Sequence, residues 1–156
     1  MFKYNDPKSG KEFTVKQITN ISEVNSILQF WKNEAGWNAT EEKVTSDFTI
    51  RMNNGCCFAA FDNQKAAGAI FGFIDHIAAT SEYSASERGW YVLPEYRGSG
   101  IGKVLTVVFE AWGKANNASY AVFNVSDAGS GNKEIARARL EKNGYHVAAY
   151  DMIKRI

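Results

Sequence analysis

Val92-Leu93-Pro94-Glu95-Tyr96-Arg97-Gly98-Ser99-Gly100-Ile101-Gly102-Lys103 joins an apolar strand to an amphipathic helix through three glycines. Val104, Leu105, Val108, Phe109 and Trp112 then recur at helical spacing, so the glycines fall at or just before a helix N-terminus. Such an end presents free N–H groups and the positive pole of the helix dipole, and both favour an anion. Gly98, Gly100 and Gly102 have no Cβ to hold a phosphate off the backbone, and they tolerate φ values that other residues resist. The stretch reads as a phosphate cradle.

Two familiar phosphate loops do not match it. A P-loop has a glycine five residues before its Gly-Lys pair and a Ser or Thr after it; here those places hold Arg97 and Val104. The Rossmann fingerprint would need glycines at 98, 100 and 103, but position 103 is Lys. That fingerprint also closes the first strand of its domain, whereas this turn comes late in the chain. What remains, Arg97-x-x-Gly100-x-Gly102 after Val92-Leu93-Pro94-Glu95-Tyr96, closely resembles motif A of the GCN5-related N-acetyltransferase (GNAT) family.

Composition sets the frame. With 156 residues and 45% hydrophobic content, the chain suits one domain with a core that needs no staples. A polar N-terminal arm is expected over residues 1–12, which contain Pro7 and Gly10, and the domain proper over 13–156. A net charge of +1 gives no general attraction to nucleic acid or to an anionic membrane. Cys56 and Cys57 are adjacent and form no spaced disulfide or metal pattern; with only His76 and His146 to add, no metal site is expected. The thiols, the lack of a membrane-length apolar run and the polar start suggest a soluble cytoplasmic protein.

Periodicity supplies the elements. A strand is expected over Phe13 to Ile18, and Asn20 with Glu23 resembles a capping box before Val24, Ile27, Leu28 and Trp31. Thr40 caps a second helix with Val44, Phe48 and Met52 inside. Cys57 to Asp62 and Ala66 to Ile77 read as a hairpin, in which Gly68 and Gly72 suggest close packing or a bulge. After a polar link, Thr80 to Ser86, come the strand Arg88 to Leu93, the glycine turn with its helix, the strand Tyr120 to Val125, the helix Asn132 to Asn143 and a last strand, Tyr145 to Ile153. The order β-α-α-β-β-β-α-β-α-β makes a single α/β (α+β) domain and looks like the GNAT fold across essentially the whole chain.

The resemblance implies a mixed central sheet that splays between its fourth and fifth strands, with acetyl-CoA as cosubstrate in the notch. It assigns the pantetheine arm to the backbone of Trp90, Tyr91 and Val92. The pyrophosphate falls to Arg97, Gly98, Ser99, Gly100, Ile101, Gly102 and Lys103. The implied activity is acetyl-CoA-dependent N-acetylation of a primary amine on a small molecule or a protein, with no metal, and a homodimer is compatible with it. An alkylammonium has a pKa of about 10.4 and needs a base before it can attack. In many relatives that base is a carboxylate near the start of the fourth strand. Here that position falls on Ser86, one residue from Glu87, and a one-residue offset reverses the face unless a bulge intervenes. Glu87 is the candidate, with Glu82 and His76 nearby in sequence. The N–H of Val92 is the candidate oxyanion donor.

Two departures stand out. The tyrosine that serves many relatives as general acid, four residues before a Gly-aromatic pair, is replaced by Leu140 before Gly144-Tyr145. Tyr91, Tyr120 and Tyr145 are alternatives, and Tyr145 is the one carried forward; water is another. Asn124 stands where some relatives hold a catalytic carboxylate. These substitutions leave a second reading, a catalytically weak or inactive CoA-binding sensor or interaction module. For the acceptor, the resemblance makes the link between the first two helices, Trp31 to Thr40, one wall of the substrate groove; its Glu34, Trp37 and Asn38 would offer a cationic amine an acidic and aromatic surface, to which Trp90, Tyr91 and Tyr83 would add.

Overall fold

A computed structural model describes residues 1–125 and 133–148. Over these residues the sheet has six strands, in the order in which they occur in the chain: β1 (Phe2–Asn5), β2 (Glu12–Gln17), β3 (Cys56–Asp62), β4 (Lys65–His76), β5 (Tyr83–Val92) and β6 (Tyr120–Val122). The first four junctions are antiparallel and the last, β5 to β6, is parallel. The helices are α1 (Asn25–Glu34), α2 (Glu41–Asn53), α3 (Ile101–Ala115) and α4 (Lys133–Lys142). This is a single α/β domain with a mixed sheet, as the sequence indicated.

The expected loose arm is in part a strand. Phe2 to Asn5 pair with Val15 to Glu12, and Asp6 to Lys11 form the turn, in which the Asp6 carboxylate accepts from the Lys8 amide at 3.0 Å and the Ser9 hydroxyl at 2.6 Å. Asn20 caps a 3-10 turn, Ile21–Val24, rather than α1 itself, and accepts from the Ser22 amide at 3.0 Å. Glu23 pairs with Lys16 instead of closing a capping box. The polar link is shorter than expected because β5 begins at Tyr83 and carries Ser84, Ser86 and Glu87 as buried residues. Tyr145 to Ala148 have no regular structure, and the remainder of the strand expected to end at Ile153 lies outside the described residues, as does the expected helix start at Asn132.

Helices cover both faces of the sheet. On one, Trp31 of α1 and Phe48 of α2 pack at 5.5 Å and reach Tyr91 and Phe71 of the sheet at 5.3 and 4.8 Å. On the other, α3 buries Ile101, Leu105 and Phe109 completely. Its approach is close enough that a Cβ on Gly72 would lie 2.5 Å from Phe109 and 2.5 Å from the Ser86 carbonyl oxygen. That contact fixes the helix, and with it the glycine turn at its N-terminus.

Candidate active site

The glycine turn has the backbone the sequence demanded. Gly98 and Gly100 sit at φ +91° and +87°, and Gly100 directly precedes α3. Among the described residues no group accepts from the amides of Gly98, Gly100, Gly102 or Lys103, and the first helical bond at this end runs from Val104 to the Gly100 carbonyl at 3.1 Å. Ser99 turns its hydroxyl inward, donating to the Tyr96 carbonyl at 2.7 Å, while its own carbonyl accepts from the Tyr4 hydroxyl at 2.9 Å. Unpartnered amides at a helix N-terminus suit a diphosphate. Lys103 is exposed and joins no ion pair among the described residues. Arg97 is engaged elsewhere: its Nη2 lies 2.7 Å from Glu34 Oε2, its Nε donates to the Val92 carbonyl at 3.1 Å, and its guanidinium lies 5.4 Å from the Tyr91 ring centre.

Beside the turn, the sheet opens. β6 pairs with β5 at Ser84, Ser86 and the residue between them, so among the described residues β5 from Glu87 to Val92 has β4 as its only strand neighbour. Leu93 donates to the Ala67 carbonyl at 3.0 Å, which makes Val92 opposite Gly68 the non-bonded kind of antiparallel pair. The N–H and C=O of Val92, and of Trp90 two residues earlier, therefore point away from β4 into the gap. Tyr91 does the reverse; its ring stacks on Trp31 at 5.3 Å and its hydroxyl donates to Glu34. Burial, then that hydrogen bond, push the phenol well above its ordinary pKa.

Glu87 stands where the strands part. The β4–β5 register shifts between Phe71 and Gly72, leaving Arg88 as an extra residue between Glu87 and Gly89. The partners of Gly72, Ile70 and Gly68 are Glu87, Trp90 and Val92, so the bulge puts Glu87 on the face that carries Trp90 and Val92. Ser86 points the opposite way, its hydroxyl 3.2 Å from that of Ser84. Glu87 is 8% exposed, and Oε2 accepts the Asn124 amide at 3.2 Å. Burial pushes its pKa up to about 7, against the opposing pull of the Asn124 and Gly89 amides and of Arg51 and Arg88.

The carboxylate lines a pocket of about 320 Å³ whose walls include Trp31, Trp37, Phe48, Arg51, Trp90 and Asn124. Several expected participants lie elsewhere. Tyr83 and His76 pack on each other at 5.4 Å, and neither lines this pocket. Glu34 belongs to Arg97 and Tyr91, so the acidic wall expected for the acceptor lacks its free carboxylate. Leu140 is buried, and Tyr145 donates to Glu110 at 2.5 Å away from the pocket, its phenol raised by burial and by that bond. Arg51 went unnoticed in sequence, because a lone basic residue in the last turn of a helix looks like a solvated charge. Cys56 and Cys57 are buried thiols, the former pushed up to about 12 by desolvation.

The fold has many solved counterparts. Aminoglycoside N-acetyltransferase AAC(6')-Iy, in complex with CoA, superposes with a TM-score of 0.75 at 17% identity, covering 96% of this chain and 97% of that one. A ribosomal-protein-alanine N-acetyltransferase from Brucella melitensis biovar Abortus 2308 gives 0.73 at 15% identity over 92% and 99% of the two chains. Glucosamine-6-phosphate N-acetyltransferase from Arabidopsis thaliana gives 0.67 at 14% identity over 92% and 97%. No curated protein matches in sequence at a significant level. Among the described residues no helix is long and apolar enough to cross a membrane. The sequence model for the acetyltransferase (GNAT) family matches residues 22–145, from the 3-10 turn before α1 to the residue after Gly144, and the chain belongs to that family.

Proposed function

We propose that this chain transfers the acetyl group of acetyl-CoA directly to a primary amine, with Glu87 as general base. The observation that carries the reading is the buried Glu87 carboxyl, poised near neutrality, lining a pocket at the point where β5 and β6 separate. A base with a pKa near the working pH is the most effective compromise between being deprotonated and being basic. The free amides of the glycine turn suit the pyrophosphate, and the outward backbone of Trp90 and Val92 suits the pantetheine arm. Arg97 would join the phosphates by leaving Glu34.

In the reaction, Glu87 takes the proton of the acceptor ammonium, directly or through water. The freed nitrogen forms its bond to the thioester carbonyl carbon, and the Val92 N–H stabilises the oxygen as it becomes negative. The C–S bond then breaks. Tyr145 is held by Glu110 outside the pocket, so the second proton, which the acylated nitrogen must still lose, passes through water to the departing thiolate, of ordinary pKa near 8.5. A cytoplasmic setting would keep both cysteines reduced. The test is release of free CoA from acetyl-CoA across a panel of amines. Tight binding of CoA with no turnover on any amine would favour the CoA-binding module over the enzyme.

A further inference from the structure

Resting on the transferase reading of the same pocket, we propose that the acceptor is a primary amine that also carries a carboxylate or a phosphate, and that Arg51 selects it. Arg51 lies one turn after Phe48 on α2, and its guanidinium is 4.7 Å from the Phe48 ring centre. Nη1 donates to the Arg88 carbonyl, at the bulge beside Glu87. Stacking on one side and this bond on another fix the orientation of the guanidinium plane. A guanidinium has five N–H donors, and one is spent.

No carboxylate pairs with Arg51 among the described residues. The charges around it are already committed: Arg88 to Asp75 at 3.0 Å, Asp47 to Lys43 at 2.7 Å, and Glu34 to Arg97 at 2.7 Å. The other walls are largely aromatic, and Glu87 is the one acid among the described lining residues. Among the described residues, then, Glu87 is the one counter-charge this pocket offers Arg51, and that charge is the base the reaction must use.

A polyamine or a lysine side chain would add positive charge to a site whose described lining already carries two arginines and one acid. An amine that bears its own anion arrives compensated. Its nitrogen can face Glu87 while its carboxylate or phosphate takes the remaining guanidinium donors, the planar pairing at which Arg excels. An anion seated there also screens Arg51 from Glu87, which leaves the base stronger. The volume, about 320 Å³, lies at the small end of small-molecule sites and suits one compact molecule with an apolar body against Trp31 and Trp37.

The test compares matched acceptors: phenylalanine against phenylalanine amide, O-phosphoethanolamine against ethanolamine, and spermidine as a cation without an anion. The anionic member of at least one pair should be favoured by about 10- to 100-fold in kcat/KM, as expected for a charge-assisted contact. Arg51→Met should erase that preference through KM, and Arg51→Lys should restore part of it, with melting curves confirming that both variants fold. Equal use of charged and neutral partners in both pairs, or an Arg51→Met loss that is the same for every amine, would overturn the inference. If no amine reacts, the transferase reading fails on its own, and calorimetry with CoA present judges Arg51 separately. Binding of an anionic amine by wild type but not by Arg51→Met supports the site; no binding, or equal binding, overturns it.

Discussion

The backbone N–H of Asn124 donates to Glu87 Oε2 at 3.2 Å, immediately beyond Ser86 and Val122, the last residues that join β5 to β6. The strands stop pairing with each other at the point where this side chain takes over. The contact seats the segment after β6 beside the carboxylate; burial raises the pKa of Glu87, while the Asn124 N–H bond itself favours the charged form and pulls the other way. It also gives Asn124 a role that its amide side chain does not explain, since its main chain makes the bond.

Glu87→Gln should lower kcat by about 10²- to 10⁴-fold, the usual range for a general base, while leaving CoA affinity unchanged. For the wild type, the rate should rise with pH through an inflection near 7, because the active form is the carboxylate. Steady-state kinetics over pH 5.5–9 would show both effects. A wild-type profile flat across neutrality, or a Gln variant of undiminished kcat, would remove Glu87 from the chemistry.

The same residue makes a stability prediction of opposite sign. Its folded pKa, about 7, lies above the ordinary value of 4.5, so between those two pH values the folded chain holds a proton that the unfolded chain has released. The stability contributed by Glu87 is thus fully present below about 4.5 and is lost as pH rises through 7. The loss is on the order of 3 kcal/mol for a shift of this size in a buried group. Urea melts at pH 5 and pH 8 should show this decline in wild type and a smaller one in Glu87→Gln. Identical pH dependence in the two proteins would contradict the buried, perturbed carboxyl.

Much of this arrangement was legible in the sequence, for identifiable reasons. The glycine turn was legible because Gly98 and Gly100 are required by positive φ, and the fold because helical and strand periodicities are local properties. Glu87 was recognised as a candidate, but its face was not. Strict alternation back from Val92 leads through Trp90 to Arg88 and Ser86, and only the extra residue at Arg88, a feature of pairing with β4, moves the face to Glu87. β1 was missed because a polar strand at a sheet edge needs only one apolar side; Tyr4 supplies it, packing on Phe13 with ring centres 6.3 Å apart. The commitment of Glu34 to Arg97 spans 63 positions, and no local pattern encodes it.

Gly72→Ala should destabilise the fold by about 1–3 kcal/mol, the usual range for overpacking. The added Cβ would fall 2.5 Å from both the Phe109 ring and the Ser86 carbonyl oxygen, and the second is backbone of the neighbouring strand that cannot swing aside. Relief of the Phe109 contact needs a shift of α3 away from the sheet, which carries the glycine turn with it, and the Ser86 contact remains as strain between β4 and β5. Acetyl-CoA affinity should therefore fall together with the melting temperature. An unchanged melting temperature would show that α3 does not bear on Gly72 as described.

Tyr4 ties the N-terminal strand to the phosphate cradle, which makes the cradle sensitive to a residue 96 positions away from Gly100. At φ +87°, an alanine at position 100 pays about 1–2 kcal/mol for the left-handed conformation, and its Cβ also runs into the Tyr4 hydroxyl. Tyr4→Phe removes that oxygen and, with it, the hydrogen bond to the Ser99 carbonyl. The two substitutions should therefore be coupled: Gly100→Ala should cost roughly 1 kcal/mol less in the Tyr4→Phe background than in wild type, within the range for residues in contact. The φ penalty persists in both backgrounds, so acetyl-CoA affinity should stay reduced in the double variant even as stability recovers. A double-mutant cycle by chemical denaturation, with cosubstrate affinity by calorimetry, measures both. Additive stabilities would mean that β1 does not support the turn, and full recovery of affinity would mean that the left-handed backbone at Gly100 is not what the cosubstrate requires.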